Sequence, residues 1–291
     1  MGAVTKLMRI VGSLTKERLF QLVGARRSEI VNPSEPKNPY TALFRMEANG
    51  DVKILSPMIC ELLWVELCDD ILGNGLGHEN NVAFGDRFAV FVGRRLEFAG
   101  TYRTRTVTLE LNQAQDGLTT APYGAEVPLS FPAANVIYAR TRQEFRELVF
   151  DLPLASEVTE ANHTVVIAPA KFPCIDIADA RDRYFQVTIN RNHTINWTQW
   201  VDFLESLEAH NTQHGRPTPK VKVYTFTTEK IFDSHGPSKI QGLKPAKPLP
   251  EGVDPTIANK LEFLATFDQF QMCYDSAVAD VAERFADVAM D

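Results

Sequence analysis

The sequence predicts an α+β fold: a central antiparallel or mixed β-sheet with flanking helices and a C-terminal helical arm. Three observations predict it. Segments of period-two hydrophobicity cluster between residues 88 and 227 and outnumber the helical segments there. Helix-period segments flank and punctuate them, each with its own capping residue. A proline-rich stretch over residues 236–255 then sets off a last amphipathic segment. The chain has 291 residues, 44% hydrophobic and 23% charged. That balance is globular and excludes disorder, collagen or low complexity for the chain as a whole.

The elements follow in order. Thr15 to Arg27 reads as a helix, with Thr15 as cap, Leu19, Leu22 and Val23 at helical spacing, and Arg26 and Arg27 at the negative end of its dipole. Pro33 and Pro36 stop it. Thr41 to Glu47 and Asp51 to Leu55 flank Asn49-Gly50, a pair that tolerates the positive φ of a tight hairpin turn. Ser56-Pro57 opens a second helix that ends at Gly73, with a broad apolar face including Leu63, Trp64 and Leu67. From Phe88 to Leu111 the alternation predicts strands, Phe88, Val90 and Val92 first, then Tyr102 to Leu111. Further strands are expected at Val127 to Phe131, Asn135 to Ala139, Thr164 to Ala168, Tyr184 to Asn190 and Lys220 to Thr227. Helices are expected at Thr141 to Phe150 and Asn196 to His210, the latter with Trp200, Phe203 and Leu207 on a core stripe.

The organisation reads as a helical segment over 1–37, an α+β body over 38–235, a Pro/Lys-rich arm over 236–255, and an acidic amphipathic helix or helix pair over 256–291. In that last segment Leu261, Leu264, Phe267, Phe270, Tyr274 and Phe285 recur at three- and four-residue steps. A stripe on such an arm can pack on its own body or on a neighbouring subunit.

Charge narrows the partners. Thirty Lys plus Arg against 37 Asp plus Glu gives −7, which argues against a surface that is basic throughout. From Ile257 onward seven acids face two bases, whereas Asn81 to Phe150 holds eight arginines and no lysine. A guanidinium suits buried ion pairs, interfaces and phosphates better than an ammonium does, so both salt bridging and a phosphate or RNA groove stay open.

Motifs for chemistry are sparse. The four cysteines are scattered with no C-x-x-C, so neither a disulfide framework nor a structural zinc is indicated, and no secretory signal opens the chain. The longest apolar candidate, Ile54 to Leu67, is broken by Pro57, Glu61 and Glu66 and falls short of the roughly 18 to 20 residues of a membrane span. Gly73 to Gly77 lacks the spacing of a phosphate loop. His210 and His214 stand four apart, but the helix ends there; Asp176, Asp179 and Asp182 read as a short solvated turn with local ion pairs. Cys174 reads as a small buried hydrophobe. Tyr184 to Asn190, followed by a helix and the strand to Thr227, resembles the first strand motif of rolling-circle replication initiators. That resemblance implies an endonuclease with a histidine metal strand and a tyrosine nucleophile. The corresponding stretch, His235 to Gln241, holds one His and a Pro, and Tyr274 lacks a neighbouring Lys, so the likeness stops at the strand.

The expectation is therefore a non-enzymatic, self-assembling structural subunit such as a coat, shell or filament protein of the viral capsid kind, in the cytoplasm or a virion. It would form a homo-oligomer through an exchanged C-terminal arm, with Leu264, Phe267, Phe270, Tyr274 and Phe285 at the interface. Arg94, Arg95, Arg103, Arg105, Arg140 and Arg142 form the candidate nucleic-acid surface. No catalytic residue, metal set, cofactor or membrane is expected. The alternatives are an intracellular enzyme with a site assembled in space, for which His78, His210, His214 and Asp233 to His235 come first, and a nucleic-acid-binding module on the strand Tyr102 to Leu111.

Overall fold

A computed structural model describes residues 44–46, 52–54, 89, 92–93, 95–97, 99–107, 109–112, 117–120, 124–169, 172–188, 196–227, 232–233 and 251–273. The chain divides into two units, Met1–Phe98 with Val278–Asp291, and Ala99–Ala277. This division runs through the expected 38–235 body.

In the first unit, β1 (Phe44–Met46) and β2 (Val52–Ile54) form the expected antiparallel pair. The register joins Met46 to Val52, whereas a two-residue turn on Asn49-Gly50 would join Met46 to Lys53; residues 47–51 lie outside the described residues. The segment expected as a strand from Phe88 is helical instead at Ala89, Val92, Gly93 and Arg95, and Leu96 N donates to Val92 O at 3.2 Å. A spacing of four, as between Val92 and Leu96, satisfies both a period of two and a helical turn, so alternation alone could not choose. The helices expected at 15–27 and 56–73 lie outside the described residues.

The second unit is α+β, built on a mixed eight-stranded sheet. Its strands are β3 (Gly100–Thr106), β6 (Val127–Phe131), β7 (Asn135–Tyr138), β8 (Thr164–Ile167), β9 (Ile177–Ala180), β10 (Arg183–Val187), β11 (Lys222–Thr227) and β12 (Asp268–Cys273). They lie in the order β6-β3-β12-β11-β10-β9-β8-β7, and β4 (Leu109–Asn112) and β5 (Gly117–Thr120) form a separate hairpin. Three pairs are parallel, β7 with β8, β10 with β11 and β11 with β12. A parallel pair needs a long crossover. The three described helices supply them: α1 (Arg142–Phe150), α2 (Trp197–Gln213) and α3 (Pro255–Leu264). Each crossover steps the same way along the sheet, so the shared handedness of such connections puts all three helices on one face. The caps are those the sequence offers: Thr141, Asn196 and Asp254 accept from the backbone of Glu144, Gln199 and Thr256.

On the helix-bearing face, Phe145 and Val149 of α1, Trp200, Phe203 and Leu207 of α2 and Leu264 of α3 pack with Val166, Ala178, Tyr184 and Val223 of the sheet. Arg146 of α1 ties to Asp202 and Ser206 of α2. Of the helix or helix pair expected over 256–291, residues 256–273 form helix α3 followed by strand β12, and residues 274–291 lie outside the described residues. Thr266 Oγ1 bonds to the Phe263 carbonyl as the helix ends, and from Asp268 the burial becomes that of a strand.

The sheet curls over its other face. Phe131 on β6 meets Phe185 on β10 at 5.9 Å between ring centroids, although three strands separate them in the sheet. Tyr102 meets both Phe131 and Phe226 edge to face, at 5.8 and 5.7 Å. The edge strands β6 and β7 are joined by residues 132–134 alone, and that short connection brings the two edges together.

Candidate functional site

Strands β10, β11 and β12 run parallel, and near their carboxyl ends the helix-bearing face turns from apolar to polar. The register sets Gln186 beside Thr225, Thr225 beside Gln271, and Gln271 beside Arg105. Four polar side chains thus form one row across four strands, and all are buried. One step earlier on the same face stand Tyr184 and Val223, members of the apolar core. One step later come Thr227 and Cys273, also buried.

The row is wired from one side. Arg105 Nε and Nη2 donate to Gln271 Oε1 at 2.9 and 2.7 Å, and Gln271 Nε2 donates to Thr227 Oγ1 at 3.2 Å. At the other end Gln186 Nε2 donates to the Cys174 carbonyl at 2.9 Å, while its own Oε1 is buried and accepts no hydrogen bond. An unmet buried acceptor costs about 1–3 kcal/mol. Gln269, on the same face, has a buried Nε2 in the same position. Asp176, half-buried beside β10, accepts from Val187 N at 2.8 Å.

Arg103, two residues along β3 from Arg105, donates to both Glu126 oxygens at 2.9 and 3.0 Å and to Asp233 at 2.9 Å. The bond to Glu126 holds the Arg103 guanidinium above its ordinary value, and Arg103 holds the Glu126 carboxyl below its own. The ring of Phe232 lies against both guanidiniums, 4.1 Å from Arg105 and 4.8 Å from Arg103, and Arg105 Nη2 also donates to the Phe232 carbonyl.

A second polar cluster occupies the curled interior. Asp179 accepts from Arg183 Nε and Nη2, both at 2.6 Å, and His163 Nε2 lies 3.1 Å from its Oδ2. The register shift between Arg183 and Tyr184 makes Asp179 the extra residue of a β-bulge, which aims its carboxylate inward at Arg183. Burial alone would lower Arg183, but the charge of Asp179 outweighs it and the group is held up. The aspartates read from sequence as a solvated turn are therefore a buried hairpin: Asp179 and Asp182 are both ion-paired, the latter to Lys222.

The other residues named from sequence fall as follows. Arg140 and Arg142 are exposed at the start of α1. Arg95 belongs to the first unit and is buried; Arg94 lies outside the described residues. Arg103 and Arg105 share one face of β3, and both bond within the chain. Leu264 and Phe267 are buried in the core of their own unit, and Phe270 is half-buried with its ring stacked on Tyr224 at 4.7 Å. Tyr274, Phe285, His78 and His235 lie outside the described residues. The His210 and His214 rings stack at 4.2 Å, with Asp151 3.5 Å from His210 Nε2. Among the described residues no three His, Cys, Asp or Glu side chains gather as metal ligands, and no helix is long and apolar enough to cross a membrane. Cys174 is buried, as expected, and burial pushes its thiol up to about 12. Sequence reading missed Gln186, Thr225 and Gln271, because neutral polar residues carry no motif and only the register unites them.

No protein-family profile, curated protein or solved structure matches the chain.

Proposed function

We propose that the Ala99–Ala277 unit is a recognition domain for a small polar molecule, bound over the Gln186, Thr225, Gln271 and Arg105 row. The observation that carries the reading is the open carbonyl of Gln186 within a buried polar row, at the carboxyl ends of three parallel strands. Such strand ends are where open α/β sheets take their ligands. A core built for stability alone would be apolar there, since buried polar groups contribute little net and cost most when unpaired. The row offers two amides, one hydroxyl and one guanidinium, with the half-buried Asp176 beside β10. That set recognises by hydrogen bonding, and a hydroxyl or amide N–H of the ligand would meet Gln186 Oε1.

Gln186→Met and Thr225→Val test this directly. If the row serves binding, each variant unfolds at unchanged or higher urea, by up to about 1–2 kcal/mol, as substitutions that relieve a functional site do. Saturation-transfer NMR with a panel of nucleosides, sugars and amino acids should give a ligand for the wild type that both variants lose. Destabilisation of both variants by more than about 2 kcal/mol would instead make the row a structural network.

A further inference from the structure

We infer that Phe232 and Asp233 form a strap that closes the Arg105 end of this row and is released when the contact between Asp233 and Arg103 is weakened. The inference rests on the recognition reading for its purpose, but its geometry stands by itself. Arg105 faces two ways, donating to Gln271 in the sheet and to the Phe232 carbonyl above it, with the Phe232 ring against its guanidinium. The register pairs Met272 of β12 with Thr104 of β3, so Cys273, two residues beyond Gln271, lies on the same face next to the Gln271 and Arg105 pair. Phe232 touches both Arg103 and Arg105 and is fully buried.

What holds the strap is unequal in kind. The Phe232 ring is anchored by burial and by two cation–π contacts, which strengthen as water is excluded. Asp233 is exposed and pairs with an Arg103 whose side chain is 33% accessible, so salt screens this contact. Arg103 keeps its place without Asp233, because Glu126 grips it through both oxygens. The carbonyl of Phe232 and the carboxylate of Asp233 therefore occupy donors that face the row, and a molecule entering at that end has to displace them.

Cys273, a buried free cysteine two residues beyond Gln271 on the same face, serves as a native reporter of that end of the row, and Cys174, in the helix-covered core, reports unfolding of the unit. The full chain is exposed to N-ethylmaleimide, and labelling at each cysteine is followed by peptide-resolved mass spectrometry. Asp233→Asn should speed labelling of Cys273 about 1.4- to 5-fold, the range an exposed ion pair supplies, with Cys174 unchanged. Raising NaCl from 50 mM to 1 M should speed the wild type and leave Asp233→Asn unmoved. Phe232→Ala should open Cys273 more than either. If Phe232→Ala disturbs the fold, Cys174 labels as well, and the surface variant Asp233→Asn decides alone. Equal labelling of Cys273 in wild type and Asp233→Asn at both salt concentrations would overturn the strap. The recognition reading would survive that result, since it is judged by Gln186→Met and Thr225→Val.

Discussion

Asp179→Ala isolates a buried ion pair of the described fold. Asp179 and the His163 ring have no solvent exposure, the Arg183 side chain has 9%, and both carboxylate oxygens accept from the guanidinium at 2.6 Å. Truncation removes the acceptor of Arg183 Nε and Nη2 and the partner of His163 Nε2, leaving a guanidinium against the Phe131 ring in the curled interior. Breaking a buried pair from one side costs about 3–5 kcal/mol, whereas replacing both partners by apolar residues is often neutral or stabilising. Asp179→Ala should thus lower the unfolding free energy by about 3–5 kcal/mol, a large share of the roughly 5–15 kcal/mol typical of folded proteins. The double variant Asp179→Leu with Arg183→Met should recover most of the loss. Urea titration followed by tryptophan fluorescence and far-UV circular dichroism reads both, with the slope checked for two-state behaviour. A loss below about 1 kcal/mol for Asp179→Ala would refute the argument, since it would mean that Arg183 is solvated on losing its partner.

Two further outcomes are expected. Burial pushes the Cys174 thiol and the Tyr224 hydroxyl each up to about 12, against ordinary values of 9.0 and 10.0. The folded chain therefore holds protons that the unfolded chain has released, and stability falls as pH rises from about 9 towards 12. Tyr224→Phe should flatten that decline in urea midpoints measured across the interval, and an unchanged slope would remove Tyr224 as a cause. In the core, Phe203 meets Phe150, Phe172, Tyr184 and Trp200 within 5.3 to 6.3 Å. Phe203→Ala should cost about 3–5 kcal/mol in the same titration, and a cost near zero would place the core elsewhere.

The α+β class, the hairpin β1–β2, most strands of the second unit and the capped helices α1 and α2 were legible because each is announced locally. Thr141 and Asn196 are caps whose oxygens reach the backbone three residues on, and Phe203 and Leu207 share a helix face at a spacing that needs no distant partner. Two segments carry a spacing that fits more than one element. Val92 and Leu96 fit either period, and the apolar stripe from Ile257 fits a helix until β11 offers a parallel edge along which residues 268–273 bond as a strand. Strand β9 was invisible because Asp179, Asp182 and their arginines have the composition of a turn.

Sequence by itself determined what depends on neighbours within a few positions: periodicity, caps, breakers, and the absence of any local catalytic motif. Tertiary structure decided everything that depends on which strand lies beside which. Gln186, Thr225, Gln271 and Arg105 are scattered over 167 sequence positions, numbered 105 to 271, and become neighbours only through three strand registers. Asp179 is an ordinary acid in the sequence and a buried counter-ion only because a bulge turns it toward Arg183. Side-chain polarity is written in the chain, but the cost or use of that polarity depends on burial and partners, which the folded sheet alone supplies.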